Sequence, residues 1–474
     1  MPSSVPSGAN AGLGGQAWAE RARLTSLYLE EVARLGQTAD DLMAIMPTTG
    51  RLYASYRKRW VPRPLFIGHA EASQVNSDLQ HIRVAMNALP DLLYDGDLIA
   101  FAKDSGLTEI QAEAALRTRT EQVSEWARAD MYPDADGLKL LEFNMGSGIG
   151  GSECGAIVRA MLGYPLAREF ARAHQLTHVD TMQESIRLLF AESGCKPDSS
   201  PRIALVDSPE HYAVIGEYLH SVSRYWRSRE LDAHACHIGQ LKLRNGRVWL
   251  RGKPVDIIFR IFLLEDLLKP GIPEVMFPVL DAVARGEVAM FSPLDGELFG
   301  SKLPLAMLSD HANRRLFTPA QLTAIDRVLP WTRVMRPGPV TLEDGSSVDL
   351  MEYALGHPED LLLKPALLHG GIGVLAGWDP DTTEGVWRHA LDQAMGEAFV
   401  IQRRVKAIPE LAPGENGELF AWDTTWGVFT SGAGFGGVWA RGFPAQTGAA
   451  VARVGTGLRI TGVLIGPPDG PAQA

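Results

Sequence analysis

The sequence predicts a mixed α/β protein, and three patterns along the chain carry that prediction. Apolar residues recur at helical spacing over residues 17–35, 71–89 and 107–129, so the first part of the chain is expected to be mainly helical. Residues 128–144 alternate apolar and polar side chains on either side of an Asp-Gly turn, which is typical of a β-hairpin. The apolar strand at 203–207 leads into a helical pattern, and strand followed by helix is the unit of a parallel α/β layer.

Length and composition limit the classes of protein that this chain can represent. A chain of 474 residues exceeds one ordinary hydrophobic core, so roughly two or three packed units are expected. The formal net charge of −11 argues against a broad contact with nucleic acid, and no run of about twenty apolar residues predicts a membrane span. The three cysteines, Cys154, Cys195 and Cys236, show no spacing of a zinc site or a disulfide framework. A cytoplasmic location is therefore expected.

The predicted hairpin places hard oxygen ligands close together. Glu142 and Asn144 are two residues apart on the second strand, so both side chains leave the same face. If the two strands pair in register, Asp130 on the first strand joins them. Two carboxylates and one carboxamide suit magnesium better than zinc or copper. The sequence therefore predicts a magnesium site on this hairpin.

The first glycine-rich stretch allows a competing interpretation. Gly146, Gly148 and Gly151 fit the GxGxxG pattern between a strand and a helix predicted over 152–173, which is the context of a dinucleotide site. However, the preceding strand carries two polar side chains on one face, whereas a central parallel strand is usually apolar on both faces. An NAD(P)-dependent oxidoreductase remains the alternative function.

The second glycine-rich stretch follows a lysine. Lys364 precedes Gly370, Gly371 and Gly373, but no Lys-Ser or Lys-Thr pair closes a P-loop. We predict a flexible hairpin over 361–377 whose backbone N–H groups can meet phosphate oxygens, with Lys364 supplying charge. Another hairpin is predicted from residues 241–250 and 255–262.

A family resemblance joins these stretches. The segment ARADMYPDADGLKLLEFNMGSGIGGSE is similar to the R-x-D … L-L-E-x-N … E pattern of glutathionylspermidine synthase-type ligases, the circularly permuted branch of the ATP-grasp superfamily. VDIIFRIFLLED, GSKLPLAML, LLLKPALLHGGIGV and FVIQRRV resemble further family segments, in the family's order. The resemblance runs from about residue 126 to 441, with the carboxylates before the lysines as the permutation requires.

The resemblance implies an ATP-dependent carboxylate–amine ligase that forms an amide through an acyl phosphate and releases ADP and phosphate. Asp130, Glu142 and Asn144 would then hold magnesium ions that bridge the ATP phosphates. Lys302 and Lys364 would bind the α- and β-phosphates. The partners implied are small-molecule or peptide carboxylates and amines, with neither nucleic acid nor membrane.

The same resemblance implies roles for residues nearer the ends of the nucleotide. The loop that contains Gly370, Gly371 and Gly373 would close as a lid, and Gln402 would face the adenine. Arg128 would steady the γ-phosphate and the acyl phosphate, with Arg441 the weaker candidate for that task.

The chain departs from the family directly after Asn144. MGSGIGG stands where the family has Asp-Thr-Pro-Thr, so the family's polyamine and glutathione are not expected as substrates. A third possibility is a non-catalytic nucleotide-binding module, against which the retained carboxylates and lysines argue.

These patterns and the resemblance together predict a division of the chain into six parts. They are a flexible N-terminus at 1–20, a mainly helical part at 21–125, the metal-binding hairpin and helix of a permuted ATP-grasp core at 126–175, an α/β substrate-binding (pre-ATP-grasp-like) layer at 176–275, the nucleotide-binding and lid part at 276–465, and a flexible tail at 466–474.

Overall fold

A computed structural model describes the chain in seven stretches: residues 13–44, 59–120, 122–146, 148–368, 370–432, 434–445 and 457–468. The predicted flexible N-terminus is corrected in part, because residues 13–20 belong to the first helix. Residues 1–12 and 469–474 lie outside the described residues. Among the helices of the described ranges, none is both long and apolar enough to cross a membrane.

The described chain mixes helices and strands, which confirms the predicted α/β class. The helices are α1 Leu13–Arg34, α2 Ala39–Ala44, α3 His69–Tyr94, α4 Leu98–Asp104, α5 Glu109–Arg117, α6 Cys154–Met161, α7 Pro165–Ala173, α8 Thr181–Ser193, α9 Pro209–Arg227, α10 Ile272–Ala284, α11 Lys302–Ser309, α12 Pro319–Val328, α13 Leu350–Gly356 and α14 Glu384–Ala394. The strands are β1 Leu65–Ile67, β2 Ala127–Asp134, β3 Gly137–Met145, β4 Arg202–Asp207, β5 Asp232–His237, β6 Leu241–Arg244, β7 Arg247–Leu250, β8 Lys253–Pro254, β9 Ile257–Arg260, β10 Ala289–Phe291, β11 Thr332–Val334, β12 Pro339–Thr341, β13 Ser347–Asp349, β14 Leu361–Pro365, β15 Leu375–Ala376, β16 Phe399–Arg403, β17 Glu410–Pro413, β18 Leu419–Ser431, β19 Gly434–Pro444, β20 Arg459–Thr461 and β21 Val463–Ile465.

The largest sheet is antiparallel and contains the predicted hairpin. Its strands run in the order β20-β19-β18-β2-β3, with β17 beside β18. Across the hairpin, Arg128 lies opposite Asn144 and Asp130 lies opposite Glu142, and the register then shifts by one residue at Leu141. Directly opposite residues share a face of a sheet, so these four polar side chains leave the same face.

A second sheet is fully parallel and has the order β10-β9-β4-β5. Strand β4 and helix α9 form the predicted strand–helix unit. The predicted pairing of 241–250 with 255–262 is wrong, because β9 lies between β10 and β4 whereas β6, β7 and β8 form a small sheet of their own. Ile257 and Ile258 are both fully buried, and burial of both faces is characteristic of a strand inside a parallel sheet.

The third sheet carries the second lysine. It is antiparallel with the order β11-β16-β14-β15, and β14 with β15 forms the predicted hairpin over 361–377. All five residues of β14 are buried. Lys364 lies opposite Val400, so it shares a face with Gln402 two residues further along β16.

Two predicted helices need correction. The helix predicted over 152–173 is divided into α6 and α7, because Pro165 opens α7 and Tyr164 before it is extended, with a ψ of 127°. A proline disfavours helical backbone in the residue that precedes it. The helical pattern predicted over 107–129 ends at Arg117, since β2 begins at Ala127.

The N-terminal helices share a core with the sheets. One cluster of buried apolar side chains contains Leu79 of α3, Ala112 of α5, Met131 of β2, Ile258 of β9 and Val428 of β18. Strands β1 and β21 pair in parallel, which joins the segment directly before α3 to the last described strand. The hairpin is therefore supported by packing from both its neighbours in sequence and distant segments.

Candidate active site

A cavity of about 290 Å³ lies where these elements meet. Ten of the residues singled out from the sequence line it: Arg128, Asp130, Glu142, Asn144, Gly148, Lys302, Lys364, Gly370, Gly371 and Arg441. Gln402 and Gly373 are not among the lining residues. The fold thus brings together residues that are more than 300 positions apart in the sequence.

Asp130 is held between two arginines. Arg128 donates to both of its oxygens, from Nε to Oδ1 at 2.8 Å and from Nη2 to Oδ2 at 3.1 Å, and Arg441 Nη2 lies 2.8 Å from Oδ2. Burial alone would raise the pKa of Asp130, but the charges of Arg128 and Arg441 outweigh burial and lower that pKa. The Asp130 carboxylate is therefore charged at neutral pH.

Lys302 bridges the hairpin and the glycine-rich loop. Its Nζ donates to Glu142 Oε1 at 3.2 Å and to the Leu368 carbonyl at 2.8 Å. Lys302 is the first residue of α11, and Ser301 caps that helix by accepting from the Leu303 amide at 3.3 Å. A helix N-terminus favours anions, so the lysine charge and the helix dipole act in the same direction.

Lys364 is buried and its charge is poorly compensated. Its Nζ donates to Gln402 Oε1 at 2.6 Å and to the Leu141 carbonyl at 3.2 Å. Burial, reinforced by the nearby charge of Lys302, lowers the pKa of Lys364 to about 7, although Glu142 and Asp130 partly oppose that shift. An arriving anion would restore the charged form.

The structure gives Gln402 a different task from the one implied by the resemblance. Its side chain is 1% exposed, with Oε1 accepting from Lys364 and Nε2 donating to Thr332 Oγ1 at 3.0 Å. Both polar atoms are therefore used to position Lys364, and neither faces the cavity. Val405, further along the chain, lines the cavity instead.

The glycine-rich loop needs its glycines for backbone conformation. Gly370, Gly371 and Gly373 have φ values of 64°, 75° and 71°, in the left-handed region. A Cβ on Gly373 would also lie 2.7 Å from Pro365 Cγ, so Gly373 shapes the loop without reaching the cavity. Ile372 at the loop tip is 64% exposed, which leaves an apolar side chain available to cover a ligand.

The two arginines differ in the N–H groups that they keep available. The resemblance ranks Arg128 above Arg441 as the residue that steadies the γ-phosphate and the acyl phosphate, whereas the hydrogen bonds favour Arg441. Arg128 uses all three nitrogens, because its Nη1 also donates to the Gly150 carbonyl at 2.6 Å. Arg441 Nη2 forms an ion pair with Asp130 at 2.8 Å, whereas its Nε is buried and forms no hydrogen bond with the described residues. Arg441 is thus the better placed donor for an additional anion.

The hairpin side chains form a donor set that fits magnesium. Asn144 Nδ2 donates to the Arg128 carbonyl at 3.4 Å, and the Asn144 side chain leaves the same face of the hairpin as the two carboxylates. Across the residues that the structure describes, no three His, Cys, Asp or Glu side chains lie together as a metal-binding group. Magnesium bound through one or two carboxylates and substrate phosphates does not require such a group.

The glycines at 146–151 pack against protein atoms. A Cβ on Gly148 would lie 2.6 Å from Leu263 Cδ2, and a Cβ on Gly151 would lie 2.4 Å from the Trp439 ring. The preceding strand β3 is an antiparallel edge strand, whereas a dinucleotide fingerprint follows a central parallel strand. Gly148 and Gly151 therefore pack closely against other side chains, and Gly148 also lines the cavity.

Trp439 is a site residue that the sequence did not reveal. The Cζ atoms of Arg128 and Arg441 lie 5.1 and 4.5 Å from its ring centroid. The ring thus supports both arginines that hold Asp130. The sequence signal was ambiguous, because tryptophans in an aromatic strand region are usually core residues.

Comparison with known proteins supports the fold. No protein-family model matches the sequence, and no curated protein matches it. The chain is similar to a solved glutathione synthetase-like effector from Globodera pallida in its apo form, with a TM-score of 0.54 and 13% identity over 85% of this chain and 89% of that chain. This likeness establishes a shared fold.

Two further solved structures are more distant. One is a proposed gamma-glutamylcysteine synthetase from Methylobacillus flagellatus, with a TM-score of 0.38 and 12% identity over 83% of this chain and 87% of that chain. The other is D-alanyl-alanine synthetase A from Vibrio cholerae, with a TM-score of 0.21 and 15% identity over 48% and 67%. Neither TM-score is high enough to add support to the fold.

The lowered pKa of Lys364 makes stability depend on pH. We expect the free energy of unfolding of the wild type to rise relative to Lys364→Met between about pH 7 and about pH 10, because the unfolded chain then binds a proton that the folded chain does not. Denaturant unfolding across this range measures the difference. Lys406→Met, at a lysine whose side chain is 75% exposed, serves as the control with the wild-type pH profile. A constant difference between Lys364→Met and wild type would contradict the prediction.

The packing of the 146–151 glycines predicts unequal effects of two neighbouring substitutions. Gly151→Ala should destabilise the protein by about 2–4 kcal/mol, because Gly151 has a φ of 94° and its Cβ would overlap the Trp439 ring. Gly150→Ala is the matched control, since its Cβ would meet only one Trp439 carbon, at 4.0 Å. Thermal or denaturant unfolding compares the two variants, and equal stabilities would refute the packing role.

Proposed function

We propose that this protein is an ATP-dependent carboxylate–amine ligase that forms an amide bond through an acyl phosphate. One observation carries the proposal: a single cavity is lined by the two hairpin carboxylates with Asn144, two lysines, two arginines and a glycine-rich loop. The fold shared with a glutathione synthetase-like protein is consistent with it. The proposal includes the circularly permuted ATP-grasp arrangement and the parts predicted for the chain, with the N-terminal bound corrected for the first helix.

The lysines and the helix end would hold the phosphates of ATP. Lys302 and Lys364 reach the cavity from different elements, α11 and β14, and both are nearly fully buried. In a site that excludes water, their charges interact with phosphate more strongly than in bulk solvent. Gln402 would orient Lys364 toward the phosphates. Gly370 and Gly371 of the glycine-rich loop would donate backbone N–H groups to phosphate oxygens.

Asp130, Glu142 and Asn144 would hold magnesium in this site, and the ion would neutralise phosphate charge and polarise the phosphoryl group. Arg128 orients Asp130 for that task. Trp439 and the Gly150 carbonyl in turn fix Arg128.

Arg441 would contact the phosphoryl group that is transferred from ATP to the substrate carboxylate. An oxygen of the substrate carboxylate attacks the γ-phosphorus, the bond to the β-phosphate oxygen breaks, and ADP leaves. The amine nitrogen then attacks the carbonyl carbon of the acyl phosphate, inorganic phosphate leaves, and the nitrogen loses a proton. The Nε of Arg441, which forms no hydrogen bond with the described residues, would stabilise negative charge on the transferred phosphoryl group.

Loss of the Glu142 carboxylate should slow the reaction strongly. We expect Glu142→Gln to reduce ADP formation by about 100-fold or more, because the site loses a charged oxygen ligand. Asp134→Asn is the matched control on the same hairpin, since Asp134 caps the turn by accepting from the Asp136 amide at 2.8 Å and lies outside the cavity lining. ADP release is measured with a panel of carboxylates and amines. Full activity of Glu142→Gln would show the metal assignment to be wrong.

Thermal stabilisation discriminates between the nucleotide classes. Mg-ATP should raise the Tm of the wild type, whereas NADH and NADPH should leave it unchanged, because binding to the native state stabilises that state. The Lys302→Met variant should lose most of the ATP effect. A shift with NADH alone would favour the oxidoreductase, and a shift with ATP but no turnover with any panel member would favour a non-catalytic binding module.

A further inference from the structure

The mainly helical N-terminal part contributes a polar side chain to the cavity. Leu107 and Gln111, just before and within α5, both line it. Gln111 is only 4% exposed. A buried amide at a cavity wall requires hydrogen-bond partners for both its oxygen and its nitrogen.

The orientation of the Gln111 amide is determined by the start of α5. The Thr108 amide lies 2.9 Å from Gln111 Oε1, and the Thr108 hydroxyl donates to the same oxygen at 2.8 Å. A backbone N–H can only donate, so the atom that faces it must be the amide oxygen. The Gln111 oxygen is therefore occupied by the helix cap.

The Gln111 nitrogen, in contrast to the oxygen, has no hydrogen-bond partner in the helix cap. Within the described stretches of the chain, Nε2 donates no hydrogen bond to another protein atom. Because the oxygen is turned toward Thr108, Nε2 is the polar atom that the side chain can offer to the cavity. Its two N–H groups need an acceptor, and a ligand oxygen would supply one.

The surrounding wall indicates which kind of oxygen fits. Helix α5 packs against the segments 264–268 and 294–298, which supply Leu264, Glu265 and Glu297 to the cavity wall. Glu297 is engaged by Arg260 and by the Leu264 amide, whereas Glu265 is exposed. Ile149 and Leu263 complete an apolar surface. An anionic group would meet carboxylate repulsion here, and an uncharged carbonyl would not.

We propose that Gln111 is a specificity-determining residue whose Nε2 donates to an uncharged amide or peptide carbonyl oxygen of a substrate. The inference rests on the proposed ligase function and adds the substrate class, an amide- or peptide-bearing compound. It also gives the N-terminal helices a role in substrate recognition. Because Thr108 already fixes the orientation of the Gln111 amide, substrate binding loses less side-chain entropy.

The test uses a substitution that preserves the helix cap. Gln111→Glu keeps an oxygen for Thr108, since glutamate and glutamine both serve in this capping position, but it replaces the N–H donor by a carboxylate oxygen. Thr108→Ala is the matched control, because it weakens the cap and retains the Gln111 donor. ADP release with Mg-ATP is measured for dipeptides and amino-acid amides beside the matched amino acids that lack the amide.

The wild type and Thr108→Ala should prefer the amide- or peptide-bearing compounds by about tenfold or more in kcat/KM, because a buried donor without a partner penalises the other compounds. Gln111→Glu should erase that preference and leave the KM for ATP unchanged. A retained preference in Gln111→Glu, or an equal loss for all compounds together with a changed KM for ATP, would overturn the inference alone. Absence of ADP release by the wild type with every compound would overturn the proposed function and the inference together.

Discussion

Two carboxylates, Asp130 and Glu142, lie directly opposite each other on paired strands and repel each other. Positively charged side chains of the cavity surround this pair. Like charges at opposed positions destabilise a sheet, and the charge of Glu142 indeed opposes ionisation of Asp130. Arg128 and Arg441 offset the charge on one side, and Lys302 offsets it on the other. A protein that only needed a stable hairpin would not place two acids here. The arrangement is understandable if the acids share a cationic ligand.

The lysines show the complementary problem. Lys364 is buried near Lys302. Its pKa is lowered mainly by burial and further by the positive charge of Lys302. The carboxylates, the lysines and the arginines together form a cluster in which each sign is held close to the other without full neutralisation. Such a cluster is prepared for a ligand that carries many negative charges together with a cation. Mg-ATP has that charge distribution, so the proposed function would account for both groups of residues.

Local features of the sequence predicted the hairpin and the residues on its face, because an Asp-Gly turn fixes the strand ends and alternation indicates the shared face. The register shift at Leu141 was not predicted. The glycine-rich loop after Lys364 was predictable because a cluster of glycines between two apolar segments favours a turn. The roles of Gln402, Arg441 and Gly148 were not, because each depends on contacts with residues far away in the sequence. The pairing of β9 was missed because its apolar residues fit either a hairpin or a parallel strand. Gln111 was not singled out from the sequence, because its place at the cavity depends on the packing of α5 on two distant segments.

The most direct test of the account is a crystal structure of the protein with Mg²⁺ and a non-hydrolysable ATP analogue. The account predicts that the phosphates lie between Lys302 and Lys364 on one side and Glu142 and Asp130 on the other, with magnesium bound to hairpin oxygens and Arg441 next to the γ-phosphate. Phosphates bound at the 146–151 glycines, or a nucleotide outside this cavity, would contradict it.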